Sequence, residues 1–164
     1  MVRASDVSRW TFSYAEFRTA TGLSKKEADR WVHAGVIQAG PAEGGRRAYS
    51  FASIFEGLIA KQLADFSSRE LLPQTMAALR RCLQDEKITM AKIEPNTSGP
   101  RRYVQVYTRR SQEIMPGGGV RGVASYVKLY DPSAIAIGKA VFVVVDLTLV
   151  ALLTWNAIRD LLPG

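Results

Sequence analysis

The sequence contains one cysteine, Cys82, and one histidine, His33, and this scarcity excludes several kinds of stabilising site. A single cysteine cannot form an internal disulfide bond. One cysteine and one histidine are also too few for the usual zinc cluster, which takes four such ligands. We therefore expect no structural metal and no bound cofactor.

Long hydrophobic runs are scarce too. The apolar stretch at residues 140–155 is shorter than the about 20 residues that span a bilayer, and Asp146 lies near its middle. A carboxylate in that position would cost roughly 2.5–3.5 kcal/mol. A buried strand followed by a buried helix explains the stretch better. Because residues 1–14 lack the apolar run of a secretory signal, we expect a cytoplasmic protein with no membrane partner.

The usual signatures of catalysis are missing as well. The sequence has neither a glycine-rich phosphate loop with its lysine nor a dinucleotide fingerprint. Cys82 follows Arg80 and Arg81, but its one candidate base is His33, which lies in another element. A buried, inert cysteine is the simpler interpretation, and we expect the protein not to be an enzyme.

Positive charge is what the sequence has in excess. Its 22 Lys and Arg against 15 Asp and Glu give a net charge of +7. Such a surplus favours a polyanionic partner, most often nucleic acid and less often an anionic membrane surface.

Two consecutive segments carry the signals of short, capped helices. Each begins with a capping box, in which a serine is followed by a glutamate three residues later. The pairs are Ser13 with Glu16 and Ser24 with Glu27. Gly22 and Gly35 are natural C-terminal stops. Two capped helices joined by a tight turn are typical of a helix-turn-helix.

The next segment predicts a hairpin followed by two longer helices. Residues 36–38 and 46–49 are short β-compatible pieces on either side of a Gly/Pro-rich tip. Apolar residues then recur at helical spacing and predict a core-facing helix. They are Phe51, Ile54, Phe55, Leu58, Ile59, Leu63 and Phe66. Ser67 and Glu70 predict a third capping box, opening a helix that runs to about Asp85.

The pattern of the second half predicts a small sheet followed by a helix. Residues 103–107 and 126–130 alternate with period two, which indicates strands. Residues 140–145 predict a continuous apolar strand, and 149–162 an amphipathic helix. Residues 94–101 form a turn-rich connector, and 115–119 a loop. The predicted fold is α+β, with a winged helix-turn-helix at residues 1–66 and a dimerisation or effector domain with a short antiparallel sheet at 67–164.

The second capped helix has one apolar and one charged face. Ala28, Trp31 and Val32 supply the inward stripe, and we expect Trp31 to pack the helix. The polar residues left on its outer side are Lys25, Lys26, Asp29, Arg30 and His33. In a helix-turn-helix the second helix enters the major groove, where Lys and Arg reach guanine O6 and N7. A solvated helix face of mixed charge is the alternative interpretation.

The predicted hairpin adds a second basic surface. Arg46 and Arg47 follow Gly44 and Gly45, and Tyr49 comes two residues later. A basic hairpin beside a recognition helix can bind the phosphate backbone or the minor groove. Such contacts position the protein without distinguishing one base sequence from another.

The order of these motifs resembles the DNA-binding domain of MerR-type transcription regulators and their excisionase-like relatives. The matching segments, in order, are Gly22-Leu23-Ser24, Trp31, Gly35-Val36-Ile37 and Gly45-Arg46-Arg47-Ala48-Tyr49-Ser50. The resemblance covers roughly the first 70 residues and implies DNA contacts from Ser24, the recognition helix and the wing, where Arg47 falls on the family's wing arginine.

The chain also departs from that family. Asp29 occupies the usual arginine position of the recognition helix, and Arg30 replaces the first aromatic residue. Base preference therefore cannot be copied from the family, and Asp29 is placed to accept from a cytosine amino group. The family's long dimerisation helix is missing, so its metal- and drug-sensing apparatus is not implied.

Most of the positive surplus lies in the second half. Residues 100–139 contain seven Lys and Arg against two acidic residues, a net +5. Three interpretations stay open: a second nucleic-acid surface, a sheet whose arginines provide solubility, or a site for an acidic protein or anionic effector. The apolar residues that exceed what a small sheet needs to bury predict a homodimer interface. They are Val141, Val143, Val145, Leu149, Leu152, Leu153 and Trp155.

Together these features predict a sequence-specific double-stranded DNA-binding transcription regulator. The predicted DNA-contacting residues are Ser24, Lys25, Lys26, Asp29, Arg30, His33, Arg46, Arg47 and Tyr49. Two alternatives stay open. One is an excisionase-like architectural factor of a phage or mobile element, and the other is a protein–protein adaptor that uses its basic sheet.

Overall fold

A computed structural model of the chain describes residues 10–43, 46–67, 69–88, 102–110, 123–129 and 142–161. These residues form helices and small antiparallel sheets, so the predicted α+β class is confirmed. The first half contains the short strands β1 (Thr11–Phe12), β2 (Ala42–Glu43), β3 (Arg46–Arg47) and β4 (Tyr49–Ser50), and helices α1 (Tyr14–Thr21), α2 (Lys25–His33), α3 (Phe51–Ala64) and α4 (Leu71–Asp85).

The second half supplies a three-stranded sheet and a helix. Its elements are β5 (Tyr103–Arg110), β6 (Val123–Leu129), β7 (Phe142–Asp146) and α5 (Leu147–Arg159). The strand order is β6-β5-β7, and both pairings are antiparallel. Val106 in the central strand lies opposite Val127 on one side and Val143 on the other. Aligned β-branched residues of this kind stabilise a sheet.

The first two capping boxes are confirmed. Glu16 accepts from the Ser13 N–H at 2.7 Å, and Glu27 accepts from the Ser24 N–H at 3.0 Å, while each serine hydroxyl accepts from the glutamate N–H in return. Gly35 has a φ of 71°, a left-handed conformation that favours glycine. The Val36 N–H then donates to the Trp31 carbonyl at 2.9 Å, closing helix α2 in the usual left-handed C-terminal motif.

The third predicted capping box is wrong. Helix α4 begins at Leu71, and Glu70 occupies its N-cap position with a helical backbone and no side-chain cap. The Ser67 N–H donates instead to the Leu63 carbonyl at 2.8 Å, so Ser67 completes the end of α3. A capping side chain needs an extended backbone at its own residue. The predicted end of this helix at Asp85 is confirmed.

The predicted hairpin is shifted along the chain. Residues 36–38 form no strand; β2 pairs with β3, and β4 pairs with β1, which the sequence did not predict. Gln38 is held by helix α3, since its N–H donates to Glu56 at 2.7 Å and its carbonyl accepts from Ser53 at 2.6 Å. These side-chain bonds satisfy the backbone that a strand partner would otherwise satisfy.

The core joins both halves of the chain. Phe17, Phe55, Ile59 and Leu147 are fully buried members of one apolar cluster. The predicted inward position of Phe66 is wrong: its side chain is 72% exposed because α3 ends at Ala64. The predicted boundary between two domains, at residues 66 and 67, stays a prediction.

Two close contacts position the helices within this core. The rings of Trp10 and Trp155 stack with centroids 6.2 Å apart, which joins the segment before β1 to helix α5. Gly57 in α3 faces α1, and a Cβ there would lie 2.8 Å from the Thr21 methyl carbon. Glycine therefore permits a closer approach of the two helices than any other residue would.

Candidate functional site

The exposed side of helix α2 is positively charged. Ala28 and Trp31 are 0% and 5% exposed, so they fix the inward direction of the helix. At about 100° per residue, Lys26 and His33 then lie opposite the core. Asp29 and Arg30 flank them on either side. Both ends of this helix are closed by capping motifs, so the exposed face is presented on a well-defined helix.

A cleft of about 900 Å³ borders this helix on one side. Its walls come from the start of α1, from α2 and from strands β3 and β4. The lining residues are Ser13, Tyr14, Ala15, Asp29, Val32, His33, Arg46, Arg47 and Tyr49. Five of the nine predicted DNA-contacting residues therefore meet at one surface: Asp29, His33, Arg46, Arg47 and Tyr49.

Asp29 is held in place by Tyr14. The Tyr14 hydroxyl donates to Asp29 Oδ1 at 2.6 Å and lies 3.3 Å from the Lys25 carbonyl oxygen. Burial raises the pKa of Tyr14 to about 12, and the hydrogen bond to Asp29 and the charge of Asp29 add to the increase. The phenol therefore stays protonated and keeps donating at neutral pH.

Tyr49 forms the floor of the cleft rather than its exposed rim. Its side chain is 3% exposed and stacks on Phe17, with ring centroids 4.3 Å apart. Its ring also lies 6.0 Å from that of Tyr14. This packing places Tyr49 among the residues that support the site, and the same burial raises the pKa of its phenol.

The other four predicted residues lie outside the cleft. Lys25 and Lys26 are exposed in the first turn of α2, and the Ser24 hydroxyl is bonded to Glu27 at 2.6 Å. Hydrogen bonds from Ser24 hold the pKa of Glu27 below its usual range. Arg30 lies on the opposite flank of α2 and lines a smaller cavity of about 190 Å³, together with Trp31 and Arg69.

Arg46 and Arg47 project from the short hairpin. Both side chains are exposed, and β3 pairs in antiparallel register with β2 so that Arg47 lies opposite Ala42. The hairpin tip at Gly44 and Gly45 lies outside the described residues. Two cations on a strand beside a basic helix face make this surface suitable for an extended anion.

Sequence reasoning missed a buried ion pair next to the C-terminal end of α2. Arg80 Nε lies 2.7 Å from Glu56 Oε1, and both side chains are largely buried, at 17% and 11% exposure. The same guanidinium donates to the carbonyls of Gly35 at 3.0 Å and Val36 at 2.6 Å. Arg80 thereby satisfies carbonyl groups just beyond the C-terminus of α2. A glutamate among the apolar residues of α3 was the signal that could have revealed this pair.

The second half is described only in part. The structure describes the backbone of Arg109, Arg110 and Lys128 but not their side chains, so the three interpretations of the basic sheet stay predictions. Among the apolar residues predicted to form a dimer interface, Val145 is buried, whereas Leu149 and Leu153 are 47% and 41% exposed. Val143, Leu152 and Trp155 are partly buried, and Val141 lies outside the described residues.

Cys82 is buried in helix α4. Across the described ranges, no group of three or more potential metal-ligating side chains comes together. None of the helices described is long and apolar enough to cross a membrane.

Compared with known proteins, the sequence matches no family model and no curated protein. Its function must therefore be inferred from the residues and their geometry.

Proposed function

We propose that the protein is a sequence-specific double-stranded DNA-binding transcription regulator in which α1 and α2 act as a helix-turn-helix and β2–β3 as a basic wing. One observation carries this proposal. Asp29 and His33, from the exposed side of α2, line the same cleft as the two arginines of the hairpin. The resemblance of the motif order to MerR-type domains supports the same function.

The shape of this surface suits duplex DNA. An α-helix fits the major groove, and Lys26 and His33 lie where an inserted helix would face the base edges. Arg46 and Arg47, on the neighbouring hairpin, would hold the adjacent phosphates. The net charge of +7 would speed the encounter with DNA at any sequence.

A homodimer is part of the proposal. One small module of this kind rarely binds tightly alone, and two-fold symmetric readers bind inverted repeats whose half-sites lie about 34 Å apart. The exposed Leu149 and Leu153, four residues apart on α5, are suited to contact a second subunit.

The test is a selection of genomic DNA fragments at near-physiological salt. It compares the unmodified protein with Lys26→Ala/Arg30→Ala, which removes two cations from α2. The control, Arg81→Ala/Arg159→Ala, removes two exposed cations from α4 and α5 and so has the same net charge. We expect the unmodified protein and the control to enrich the same inverted repeats. The α2 variant should bind those sites at least about tenfold more weakly, since each good base contact is worth about that much.

A salt titration of the enriched site provides the second readout. The slope of log K against log[salt] should fall by about one unit for each phosphate that the variant no longer neutralises. If both double variants bind equally well, α2 does not contact DNA. If no fragment is enriched by the unmodified protein, a protein–protein adaptor becomes the better interpretation.

A further inference from the structure

Asp29 is an acidic residue on a surface that is otherwise cationic. It shares the exposed side of α2 with Lys25, Lys26 and His33, and it lines the cleft with Arg46 and Arg47. Next to a phosphate backbone, a carboxylate is repelled unless it meets a hydrogen-bond donor. An acid at this position therefore reduces general affinity for DNA, and it is useful only where the bound DNA offers a donor.

The orientation of this carboxylate is set from the core. Its Oδ1 accepts from the Tyr14 hydroxyl at 2.6 Å, a length typical of a charge-assisted bond. The Tyr14 ring is in turn confined by Tyr49, 6.0 Å away, and by the Arg18 guanidinium, 5.8 Å from the ring centroid. Because Tyr49 is buried and stacked on Phe17, the position of Asp29 is determined by packed aromatic rings.

We propose that Asp29 is a specificity-determining residue that accepts a hydrogen bond from the amino group of a cytosine in the major groove, and that Tyr14 is its positioning residue. This inference rests on the proposed function. It adds the identity of one base that the protein would select in each half-site.

The chemistry of the base edges explains the choice of cytosine. A carboxylate can only accept, and cytosine presents its N4 amino donor alone. Guanine presents two acceptors and thymine one, so both would face the negative charge without a hydrogen bond. Adenine has a donor beside an acceptor, which suits the amide of asparagine better than a carboxylate. Any other base would leave the carboxylate desolvated and without a hydrogen bond. Asp29 therefore discriminates mainly by weakening the binding of duplexes that carry another base at this position.

The experiment is a selection from a randomised duplex library, followed by affinity measurements on four duplexes that differ at one base pair. It compares the unmodified protein with Asp29→Asn and Asp29→Ala. We expect the unmodified protein to prefer cytosine at one position of each half-site by about ten- to hundredfold. Asp29→Asn should change that preference to adenine, and Asp29→Ala should abolish it, while the other positions of the site stay the same.

Asp65→Asn serves as the matched control because it removes one exposed negative charge at the end of α3, away from the cleft. It should keep the cytosine preference. Circular dichroism establishes that each variant folds, and alanine at an exposed helical position is well tolerated. If both Asp29 variants keep the preference for cytosine, the inference is overturned and the proposed function stands. If the unmodified protein selects no site, the proposed function fails, and this inference fails with it.

Tyr14→Phe tests the positioning role separately. Loss of the hydroxyl should reduce the ratio of affinities for cytosine over the other three bases several-fold, with binding to non-specific DNA unchanged. If Tyr14→Phe weakens all four duplexes equally, Tyr14 acts only on the stability of the fold, and the positioning role is overturned.

Discussion

At the scale of single residues, the Tyr14 hydroxyl joins helix α1 to the exposed side of α2. Its donor bond to Asp29 is 2.6 Å long and spans two helices. Because the phenol is partly buried and faces a carboxylate, its deprotonation would place a second negative charge beside the first. The protonation of this hydroxyl therefore decides whether Asp29 keeps its hydrogen bond in the candidate site.

The pKa of Tyr14 gives a direct measure of this contact. Burial and Asp29 raise it to about 12. The unfolded chain loses this proton near pH 10, so the stabilisation that the protonated phenol provides is present below about pH 10 and is lost as the pH rises toward 12. Carbon-13 NMR of the tyrosine Cζ atoms should show Tyr14 titrating near pH 12.

Asp29→Asn should lower the pH midpoint of the Tyr14 titration, since it removes the charge of Asp29 and weakens the hydrogen bond. Burial should still keep this midpoint above the usual value for tyrosine. The pKa of Tyr49 should fall less than that of Tyr14, because burial is the main cause of its increase and Asp29 acts on it through charge alone. An unchanged midpoint for Tyr14 in Asp29→Asn would show that the two groups do not interact in solution.

Sequence reasoning found the residues of this contact but not the contact itself. It placed Asp29 on the exposed face of α2, and the tyrosine that follows the Ser13 N-cap at the start of α1 is its partner. The capping boxes at Ser13 and Ser24 were predictable because each joins residues three apart. The Tyr14–Asp29 bond joins residues fifteen apart across a turn, and its geometry depends on how α1 packs against α2.

At the scale of elements, helix ends were easier to predict than strands. Gly22 and Gly35 marked the ends of α1 and α2 because a left-handed backbone favours glycine. The β1–β4 pair joins residues distant in sequence, with Thr11 opposite Ser50, so no local alternation pattern predicted it. Residues 36–38 form no strand for a similar reason, because the backbone of Gln38 bonds to side chains of α3 and the Val36 carbonyl accepts from Arg80 of α4.

Gly35→Ala tests the end of helix α2. A Cβ at this position would have no atom within 4 Å, so the expected loss comes from the φ of +71° alone. A left-handed conformation costs an L-residue with a Cβ about 1–2 kcal/mol, and urea denaturation should show a loss of that size. Gly35→Asn is the matched control and should lose less, because asparagine tolerates this conformation. Equal stability of the alanine variant and the unmodified protein would contradict the assigned backbone.

At the scale of the whole molecule, Arg80 connects helix α4 to the candidate site. Its guanidinium contacts Glu56 of α3 and the carbonyls of Gly35 and Val36 just after α2. Three parts of the chain thus meet at one side chain. Capping signals and hydrophobic periodicity predicted the α+β class, but a buried ion pair between residues 24 positions apart cannot be found by periodicity.

Arg80→Ala should lower the free energy of unfolding by about 3 kcal/mol or more, because it leaves a buried carboxylate without its partner. The double variant Glu56→Gln/Arg80→Met removes both charges and should recover part of that loss, as shown by chemical denaturation. Arg81→Ala is the neighbouring control, and at this exposed position we expect a change within about 0.5 kcal/mol. If Arg80→Ala and Arg81→Ala are equally stable, the ion pair does not stabilise the fold.

The close approach of α1 to α3 at Gly57 has a consequence for mutational surveys of this protein. Any side chain at position 57 would press on Thr21, so the Thr21 side chain or the helix that carries Thr21 and Tyr14 would have to shift. A survey scored only by function would then rank a buried, chemically inert glycine alongside the residues of the cleft. Mutational surveys of this chain therefore need a measurement of protein abundance beside the functional one, so that removal of a side chain of the cleft is distinguished from displacement of a helix.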